Sequence, residues 1–540
     1  MADDARVLRK RRDRTRRRQP PEQSRPEGVS AARRFRDGAL IFAAALALRL
    51  LYVLSIHDAA FFRSLQTEPL HYHQWATRIL DGPAPLPPFE QSPGYAYFVA
   101  AVYALFGRSP AVVAWMQAVL DAATCALLAV VGRRWFGRRA GLIAGTLAAV
   151  YGPFIYFAAQ LLPSTLFVFL CVAALAAGTL TASAWAGCLW AAALLVRSEI
   201  ILALPFVLHD AWVRGHRGTL WKTAAPIVVC IAVTVATNVY ASGAFVLFNT
   251  SGGVNLWLGN NAHADGVNPF IYGPLEPVAD EVRAQSTMSA EADRIFRRHA
   301  LAFVSEEPGH ALRLVWKKLL WTLTDRELPN TDDIEWVTGH SWLFWRPLFP
   351  LSFGMVLPFA CAGAVLLGRQ WRQCTSLAGL LLTGVVTGVV FFTNARFRLI
   401  LVPPALLLAA VALDRLPARA VWNRRRTLLG AGAAFAVGAG LAWGNFYGVR
   451  AYRIPQISVN TGAMEREAGE FAAAVQHLRE GLAGDPYDAI GWIHLALALE
   501  QLGDIDAARR VYRDAQARLP NDAEVQQMAA RFFARHPEKP

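Results

Sequence analysis

The chain has 540 residues, of which 54% are hydrophobic and only 17% are charged, a composition that excludes an ordinary soluble protein of this size. We therefore expect most of the chain to lie in a membrane. A formal net charge of +14 would suit a nucleic-acid-binding protein, but the arginines cluster beside apolar stretches. Membrane topology accounts for the excess, and we predict no nucleic-acid partner.

Residues 1–37 form an arginine-rich tail that contains the run RKRRDRTRRR. Its low apolar content predicts a disordered segment, and its charge predicts retention in the cytoplasm with contact to anionic lipid. The charged region before the first apolar stretch is too long for a cleavable signal peptide.

Apolar stretches long enough to cross about 30 Å of hydrocarbon recur along the chain. They predict a mainly α-helical, polytopic membrane protein with about eleven transmembrane helices, near 38–56, 110–131, 140–158, 164–181, 183–196, 199–213, 223–243, 345–367, 374–393, 399–414 and 428–447. Arginine clusters at 132–139, 214–222, 368–373 and 417–427 mark the cytoplasmic face, because positive charges beside spans are retained there. With these clusters placed in the cytoplasm, four segments lie outside it. They are the large first and fourth external loops (57–109 and 244–344), the short segment 394–398, and everything after about 448.

All six cysteines lie in or at the ends of predicted spans, and none has the spacing of metal ligands. This position favours buried apolar side chains that fill space and excludes an external domain built on disulfides. The cysteines are Cys125, Cys171, Cys188, Cys230, Cys361 and Cys374. His71 and His73 are a candidate metal pair, although interfacial hydrogen bonding is the favoured use. The sequence indicates no cofactor and no metal site, and it leaves a divalent metal open.

After the last span the sequence repeats at an offset of 34 residues. Gly469 recurs as Gly503 and Pro486 recurs as Pro520. This is the period of tetratricopeptide repeats, in which pairs of antiparallel helices stack. We predict a small helical repeat domain over 455–540, outside the cytoplasm, which binds a protein partner or packs on the neighbouring domain.

The stretch LQTEPLHYHQWA follows the first span and holds the first candidate site. Glu68 lies four residues before Tyr72, where the chain leaves the bilayer and where a base can meet both a lipid-borne and a water-borne substrate. His71, Trp75 and, further along, Tyr95 in SPGYAYF supply polar and aromatic surface. A solvated loop carboxylate is the alternative interpretation of Glu68.

Arginines mark two further places on the same face. Arg197 lies at the outer end of a span, where a cation is costly and either pairs with Glu199, extends to the interface or binds an anionic ligand. Arg396 and Arg398 in NARFR lie between two spans, and planar guanidinium groups suit a phosphate oxyanion.

A glycine- and asparagine-rich segment, 252–266, contributes the last group. Asn255, Asn260 and Asn261 surround Trp257, and such amides beside an aromatic ring suit a polyhydroxylated ligand. An ordinary turn would also explain the glycines.

In order and topology, these motifs resemble the C-type glycosyltransferases that use polyprenyl-phosphate sugars. The resemblance covers roughly 38–450 and is nearest to the bacterial branch related to protein O-mannosyltransferases and the lipid A aminoarabinose transferase. The motifs that carry it are EPLHYHQWA, SPGYAYFVAAVYALFG, GRRWFGRRAGLIAGTLAAVYG, GGVNLWLGNN and NARFRLILVPP.

The resemblance implies a membrane-embedded transferase domain over 38–450 and roles for particular residues. The family's catalytic base is an acidic residue of the first external loop, usually Asp, four positions before a Tyr, and Glu68 stands at that place. Arg396 and Arg398 match positions near the lipid phosphate, and Arg197 is given a similar role.

The sequence thus predicts an inverting transfer of a hexose or pentose from a polyprenyl phosphate to a hydroxyl or amine of a protein, lipid or glycan. The reaction is expected at the periplasmic face of the bacterial inner membrane. No nucleotide-binding loop is visible, which fits a lipid-activated donor. A lipid-linked-substrate transporter or flippase, and a non-catalytic scaffold that displays the repeats, are the alternatives.

Overall fold

The computed structural model describes residues 31–540 except 58, 60–61, 63–64, 66, 83–87, 181–182, 272, 286–288, 330–332, 345–350, 418–424 and 538–540. Most of the predicted disordered tail, residues 1–30, lies outside the described residues. Residues 31–37 of that tail are helical, so the prediction of disorder is wrong for them. Within the described ranges, the β-structure is a single bridge between Tyr151 and Leu351.

The membrane part and its loops are built from helices α1 to α19. Their bounds are α1 Ala31–Ile56, α2 Thr67–Asp81, α3 Gly94–Phe106, α4 Pro110–Phe136, α5 Arg138–Ala149, α6 Gly152–Ala158, α7 Ser164–Thr179, α8 Ser183–Val196, α9 Leu204–Ser242, α10 Gly252–Gly259, α11 Glu276–Gln285, α12 Ser289–Glu306, α13 Pro308–Thr322, α14 Ile334–Gly339, α15 Phe353–Leu367, α16 Thr375–Val390, α17 Ala395–Arg398, α18 Val402–Arg415 and α19 Arg425–Trp443. Short 3₁₀ segments at Ser198–Ala203, Gly273–Leu275, Gly368–Gln373, Leu399–Leu401 and Phe446–Ala451 connect several of them.

Six helices in the described part of the chain are long and apolar enough to cross a membrane, and four more are apolar but shorter. The chain is therefore a polytopic, mainly α-helical membrane protein, as predicted. Three of the shorter helices, α7, α8 and α16, coincide with predicted spans. The fourth, α3, falls inside the predicted external segment 57–109, where the sequence reading placed no apolar helix.

The helical segment α9 has 39 residues and contains Pro226. Leu202, just before its start, lines the same cavity as Phe248. Near the end of α9, Asn238 Nδ2 donates to the carbonyl of Phe248 at 3.2 Å. Both ends of α9 therefore lie beside residues that line one cavity, and the predicted spans 199–213 and 223–243 both overlap this helix. Of the two, the second is the one in which a helix long and apolar enough to cross a membrane is found, at Gly218–Ser242.

A buried arginine explains why the predicted span 140–158 is broken into α5 and α6. Arg49 of α1 is fully buried and its Nε lies 2.7 Å from Asp121 Oδ2 of α4. The same guanidinium donates to the carbonyls of Ala148 and Ala149 at the end of α5. A paired cation beside the carbonyls of a helix end satisfies groups that hydrocarbon cannot, so the helix can stop inside the protein.

Residues of the predicted cytoplasmic cluster 132–139 and residues beside the clusters 368–373 and 417–427 lie at one end of the helical bundle, here called the basic end. The contacts are Arg138 with Asp37 (2.9 Å), Arg139 with Asp414 (3.6 Å) and Arg415 with the carbonyl of Leu366 (2.6 Å). Helix α16 starts directly after the cluster at 368–373, and its last turns, at Val386 and Val390, line the cavity. The cavity therefore lies at the opposite end of the bundle.

The C-terminal region forms five helices, α20 Pro455–Glu467, α21 Phe471–Gly484, α22 Ala489–Gln501, α23 Ile505–Arg518 and α24 Ala523–Arg535. Gly469 and Gly503 both adopt positive φ, at 85° and 82°, the conformation in which glycine is least strained. Asp488 and Asp522 both cap a helix start by accepting a backbone N–H three residues on. Residues 34 positions apart therefore have the same local structure, as the repeat period predicts.

The repeats pack on the external loop 244–344 rather than standing apart from it. Trp336 Nε1 donates to Glu465 Oε1 at 2.9 Å, and Tyr452 donates to Asp265. A small apolar cluster, here called the shared core, joins the two regions and contains Val267, Leu320, Trp321, Leu328, Val449, Ile454 and Ile457. The repeats therefore lie at the same end of the molecule as the cavity.

Candidate functional site

A cavity of about 820 Å³ lies between the ends of the spans that are opposite the basic end and the loops of 57–109 and 244–344. Six stretches of chain line it, and two of them bring Glu68 and Arg396 into direct contact in its wall. The six stretches are 67–72, 90–92, 196–202, 247–258, 269–271 and 386–397, together with Pro163. Its wall combines charged groups with apolar side chains of α16 and of the 3₁₀ segment Ser198–Ala203. This combination suits an amphiphilic ligand.

Glu68 occupies the first turn of α2, where an acidic side chain is stabilised by the positive helix N-terminus. The preceding residue, Thr67, has φ of 49°, a left-handed conformation that non-glycine residues seldom adopt outside functional or turn positions. The Glu68 carboxylate forms an ion pair with Arg396. Its side chain keeps 16% of its surface exposed, so it is accessible from the cavity.

The NARFR segment folds as the short helix α17 rather than as an extended link. Asn394 caps it by accepting the Phe397 N–H at 2.8 Å. Successive helical residues are about 100° apart, so side chains two positions apart point in nearly opposite directions. Arg396 consequently lines the cavity, while Arg398 points into the protein.

Arg398 is not placed where the resemblance suggested. Its side chain is 3% exposed and its Nη2 lies 2.5 Å from Glu327 Oε2. It also donates to the carbonyls of Thr324 and Arg326, and its guanidinium lies over the Phe353 ring. With its donors used inside the protein, Arg398 lies outside the residues that line the cavity.

Arg197 follows the last turn of α8 and lines the cavity. Its Nε lies 2.5 Å from Glu199 Oε1, so the pairing considered from the sequence does form. The guanidinium also lies 4.6 Å from the centre of the Phe397 ring, one residue from Arg396. Both members of the pair line the cavity, so pairing with Glu199 does not remove Arg197 from it.

Aromatic rings support the Glu68 side of the cavity. His71 and Tyr72 line it, whereas Trp75 stacks behind Tyr72 with ring centres 6.2 Å apart. Tyr95 meets Tyr72 edge to face at 4.9 Å and donates its hydroxyl to Gln117 at 2.8 Å. Trp75 and Tyr95 are thus buried supports rather than ligand contacts. Burial raises the pKa of the Tyr72 phenol well above its usual value, so this hydroxyl stays protonated.

The segment predicted as a glycine- and asparagine-rich loop is partly helical, because Gly252–Gly259 forms α10. Asn255 lines the cavity. Asn260 and Asn261 do not, since their side-chain amides donate to the carbonyls of Val390 and Trp257 at 2.7 and 2.8 Å. They fold the chain rather than face a ligand.

Lys318 of α13 is a buried cation that the sequence analysis missed. Its Nζ donates to Gly259 O (3.1 Å), Asn260 Oδ1 (3.1 Å) and Phe391 O (2.9 Å). Burial lowers the pKa of this ammonium to about 7. The only sequence signal is a lysine inside the apolar run LVWKKLLW. Lys318 ties α10 to the segment that leads to Arg396, and so positions two walls of the cavity.

The candidate pair His71 and His73 does not converge. His71 lines the cavity, whereas His73 Nδ1 lies 2.8 Å from the Tyr103 hydroxyl. In the described part of the chain, no three His, Cys, Asp or Glu side chains are arranged to hold a metal ion.

Two segments of the chain match families of known proteins. Residues 90–240 match the family described as dolichyl-phosphate-mannose-protein mannosyltransferase, and residues 465–532 match the tetratricopeptide repeat. The chain is thus a membrane protein in which residues 90–240 are similar to this mannosyltransferase family and residues 465–532 are similar to tetratricopeptide repeats. The resemblance inferred from the motifs is confirmed for these segments, and the matched stretch includes Arg197 and Glu199.

Two solved structures are similar at low identity. The archaeal oligosaccharyltransferase AglB from Archaeoglobus fulgidus, in complex with an inhibitory peptide and a dolichol-phosphate, is 16% identical, with 81% of this chain and 58% of that chain covered and a TM-score of 0.40. ArnT from Cupriavidus metallidurans, bound to undecaprenyl phosphate, is 15% identical, with 92% and 84% covered and a TM-score of 0.40. The chain thus spans 58% of the length of the archaeal enzyme. A comparison with curated proteins finds no match.

Proposed function

We propose that this protein transfers a sugar from a polyprenyl phosphate to an acceptor hydroxyl or amine. The observation that carries the proposal is the direct contact of Glu68 and Arg396 in the wall of a cavity that also has apolar side chains in its wall. The two residues are 328 positions apart in the chain, so the fold has to bring them together. A base beside an anion-binding group is what a transfer from a phosphate-linked donor needs.

Side chains that line the cavity can carry out each step of the proposed transfer. The acceptor oxygen or nitrogen attacks the anomeric carbon as Glu68 takes its proton, which forms the glycosidic bond. The bond between the anomeric carbon and the phosphate oxygen breaks, and the electron pair leaves with the polyprenyl phosphate. Arg396 and Arg197 stabilise that departing anion. A single displacement of this kind inverts the anomeric centre.

The second part of the proposal is the location, the periplasmic face of a bacterial inner membrane. The arginine clusters gather at the basic end, whereas the cavity and the repeats lie at the opposite end. Since positive charges beside spans are retained in the cytoplasm, the cavity end faces outward. The repeats then lie near an acceptor or a protein partner on that side.

The alternatives make different demands on the cavity. A flippase moves an intact lipid-linked substrate and needs no base, and a scaffold needs neither Glu68 nor Arg396. The described structure instead puts an acidic and a basic side chain in direct contact at the cavity wall, which favours a transferase.

Release of polyprenyl phosphate from a labelled polyprenyl-phosphate sugar by the purified protein tests the proposal directly. We expect Glu68→Gln to insert normally and to lose turnover by about 10²–10⁴-fold, the usual contribution of a general base. Glu90→Gln, which removes another carboxylate from the cavity wall, is the matched control and should keep most activity. Wild-type turnover in Glu68→Gln would exclude Glu68 as the base, and transport of intact donor without release would favour the flippase.

A further inference from the structure

Two ion pairs lie in the wall of the ligand-free cavity, and each joins a carboxylate to a guanidinium. Glu68 pairs with Arg396, and Glu199 pairs with Arg197. Both arginines that face the cavity are therefore already neutralised by carboxylates. An incoming phosphate monoester or diester adds negative charge to a wall whose cationic donors are engaged, so it has to take the place of a carboxylate or share its partner.

Of the two pairs, Glu68 and Arg396 form the less complete one. Arg396 contacts Glu68 through Nη1, while its buried Nε has no hydrogen-bond partner among the described residues. A guanidinium has a fork of parallel donors that two oxygens of one phosphate satisfy better than a single carboxylate contact does. Pairing with Glu68 therefore leaves part of the guanidinium unsatisfied, and a phosphate that draws Arg396 towards itself can supply the missing contact.

We propose that Arg396 holds Glu68 in the ligand-free protein and releases it when the donor phosphate binds, so that the donor has to bind before the acceptor is activated. This inference rests on the proposed transferase function. A carboxylate oxygen that accepts from a guanidinium has a lone pair committed in that direction. Once the phosphate occupies Arg396, Glu68 is free to accept the proton of the acceptor.

Because Glu68 competes with the donor phosphate for Arg396, removing this carboxylate should strengthen donor binding. Farnesyl phosphate, a short polyprenyl phosphate, is the probe, and its affinity for the full-length protein in detergent or nanodiscs is the measurement. In Glu68→Gln the neutral amide no longer competes for Arg396. This pair is mostly buried and is therefore stronger than an exposed surface pair, so we expect about threefold to tenfold tighter binding.

Two further variants make the result specific. Glu90→Gln removes a negative charge from the same wall without touching the pair, and should change the affinity less than about twofold, since exposed charges are screened by water. Arg396→Ala should weaken binding, and the double variant Glu68→Gln with Arg396→Ala should bind no more tightly than Arg396→Ala alone.

Equal or weaker binding by Glu68→Gln, or an equal gain in Glu90→Gln, would overturn the inference. The two proposals fail separately. If the wild-type protein releases polyprenyl phosphate from a labelled donor but Glu68→Gln binds farnesyl phosphate no more tightly, the transferase stands and the competition is wrong. If Glu68→Gln binds more tightly but the wild-type protein releases nothing, the competition stands and the transferase proposal fails.

Discussion

The Nζ atom of Lys318 lies 2.9 Å from the carbonyl oxygen of Phe391, five residues before Arg396. The same ammonium holds Gly259 and Asn260 of the neighbouring wall. Gly259 is required at this contact, because a Cβ there would overlap the Phe391 carbonyl. One buried cation thus joins two segments that are 132 positions apart, the difference between 391 and 259, and sets the spacing of the cavity walls.

Lys318 should make stability depend on pH. Its pKa is about 7 in the folded protein and 10.5 when exposed, so between these values the unfolded chain binds a proton that the folded chain does not. Stability contributed through this group therefore rises with pH over that window. We expect the melting temperature of the wild-type protein, relative to Lys318→Met, to increase from pH 7 to pH 10. Lys317→Met, at the adjacent and less buried lysine over the Trp321 ring, is the control. Burial lowers the pKa of Lys317 as well, so this variant should show the same trend with a smaller size, and a difference for Lys318→Met that is independent of pH would contradict the prediction.

Arg396 and Arg398 should differ in the property that their loss affects. Arg396→Ala removes a cavity-facing guanidinium, and losing a charge-assisted contact to phosphate costs about 1.5–3 kcal/mol, or roughly ten- to a hundredfold in donor use. Arg396→Lys should rescue only partly, because an ammonium cannot form two parallel hydrogen bonds. Donor titrations at saturating acceptor measure this effect.

Arg398→Ala should instead reduce the folded yield and the melting temperature. It leaves the buried Glu327 unpaired, and breaking a buried pair typically costs about 3–5 kcal/mol. Adding Glu327→Gln should recover part of the loss. If Arg398→Ala folded with normal stability but bound the donor poorly, Arg398 would belong to the phosphate site after all.

The topology predicts different labelling of the two ends. In a variant whose six cysteines are replaced, a cysteine at Glu524, exposed on α24, should react with a membrane-impermeant maleimide in cells with a permeabilised outer membrane. A cysteine at Arg372, exposed near the basic end, should react only after the inner membrane is lysed. The reverse pattern would place the cavity in the cytoplasm.

The packing of α20 against α21 in the repeats should weaken at alkaline pH. Glu465 accepts hydrogen bonds from both Trp336 and His477, and the bond to Glu465 raises the pKa of His477 above its usual 6.5. This stabilisation is complete below pH 6.5 and is lost as the pH rises through the raised value. Corrected for intrinsic exchange, the backbone amides of α20 should show less protection at pH 8.5 than at pH 6, and His477→Gln should remove most of the difference.

The repeats and the membrane spans were predictable from the sequence, because a fixed period marks the first and an apolar length marks the second. The repeats follow from pairs such as Gly469 and Gly503, because each turn needs the same backbone conformation. The spans follow from apolar length, and Glu68 stands out because it is an acidic residue directly after the first span.

Features that depend on tertiary contacts were not predictable. The spacing of Arg396 and Arg398 suggested a common target, but the short helix α17 sends them in opposite directions. Asn260 and Asn261 look like ligand contacts in the sequence, yet they bond to backbone carbonyls. Lys318 carries no local signal, since its three partners come from chain segments remote in sequence.

The shared core can form only after both of its chain segments have been synthesised. Leu328 is made about 120 residues before Val449, and at 5–20 residues per second the ribosome needs roughly 6–24 s to supply the second half of this core. Until then the apolar surface around Trp321 lacks its cover on the far side of the membrane. We therefore expect a chain arrested before Val449 to insert its spans while leaving the external loop incomplete, open to proteases and to chaperones. The loop of 244–344, which forms part of the cavity wall, would acquire its final form only after Val449 has been made.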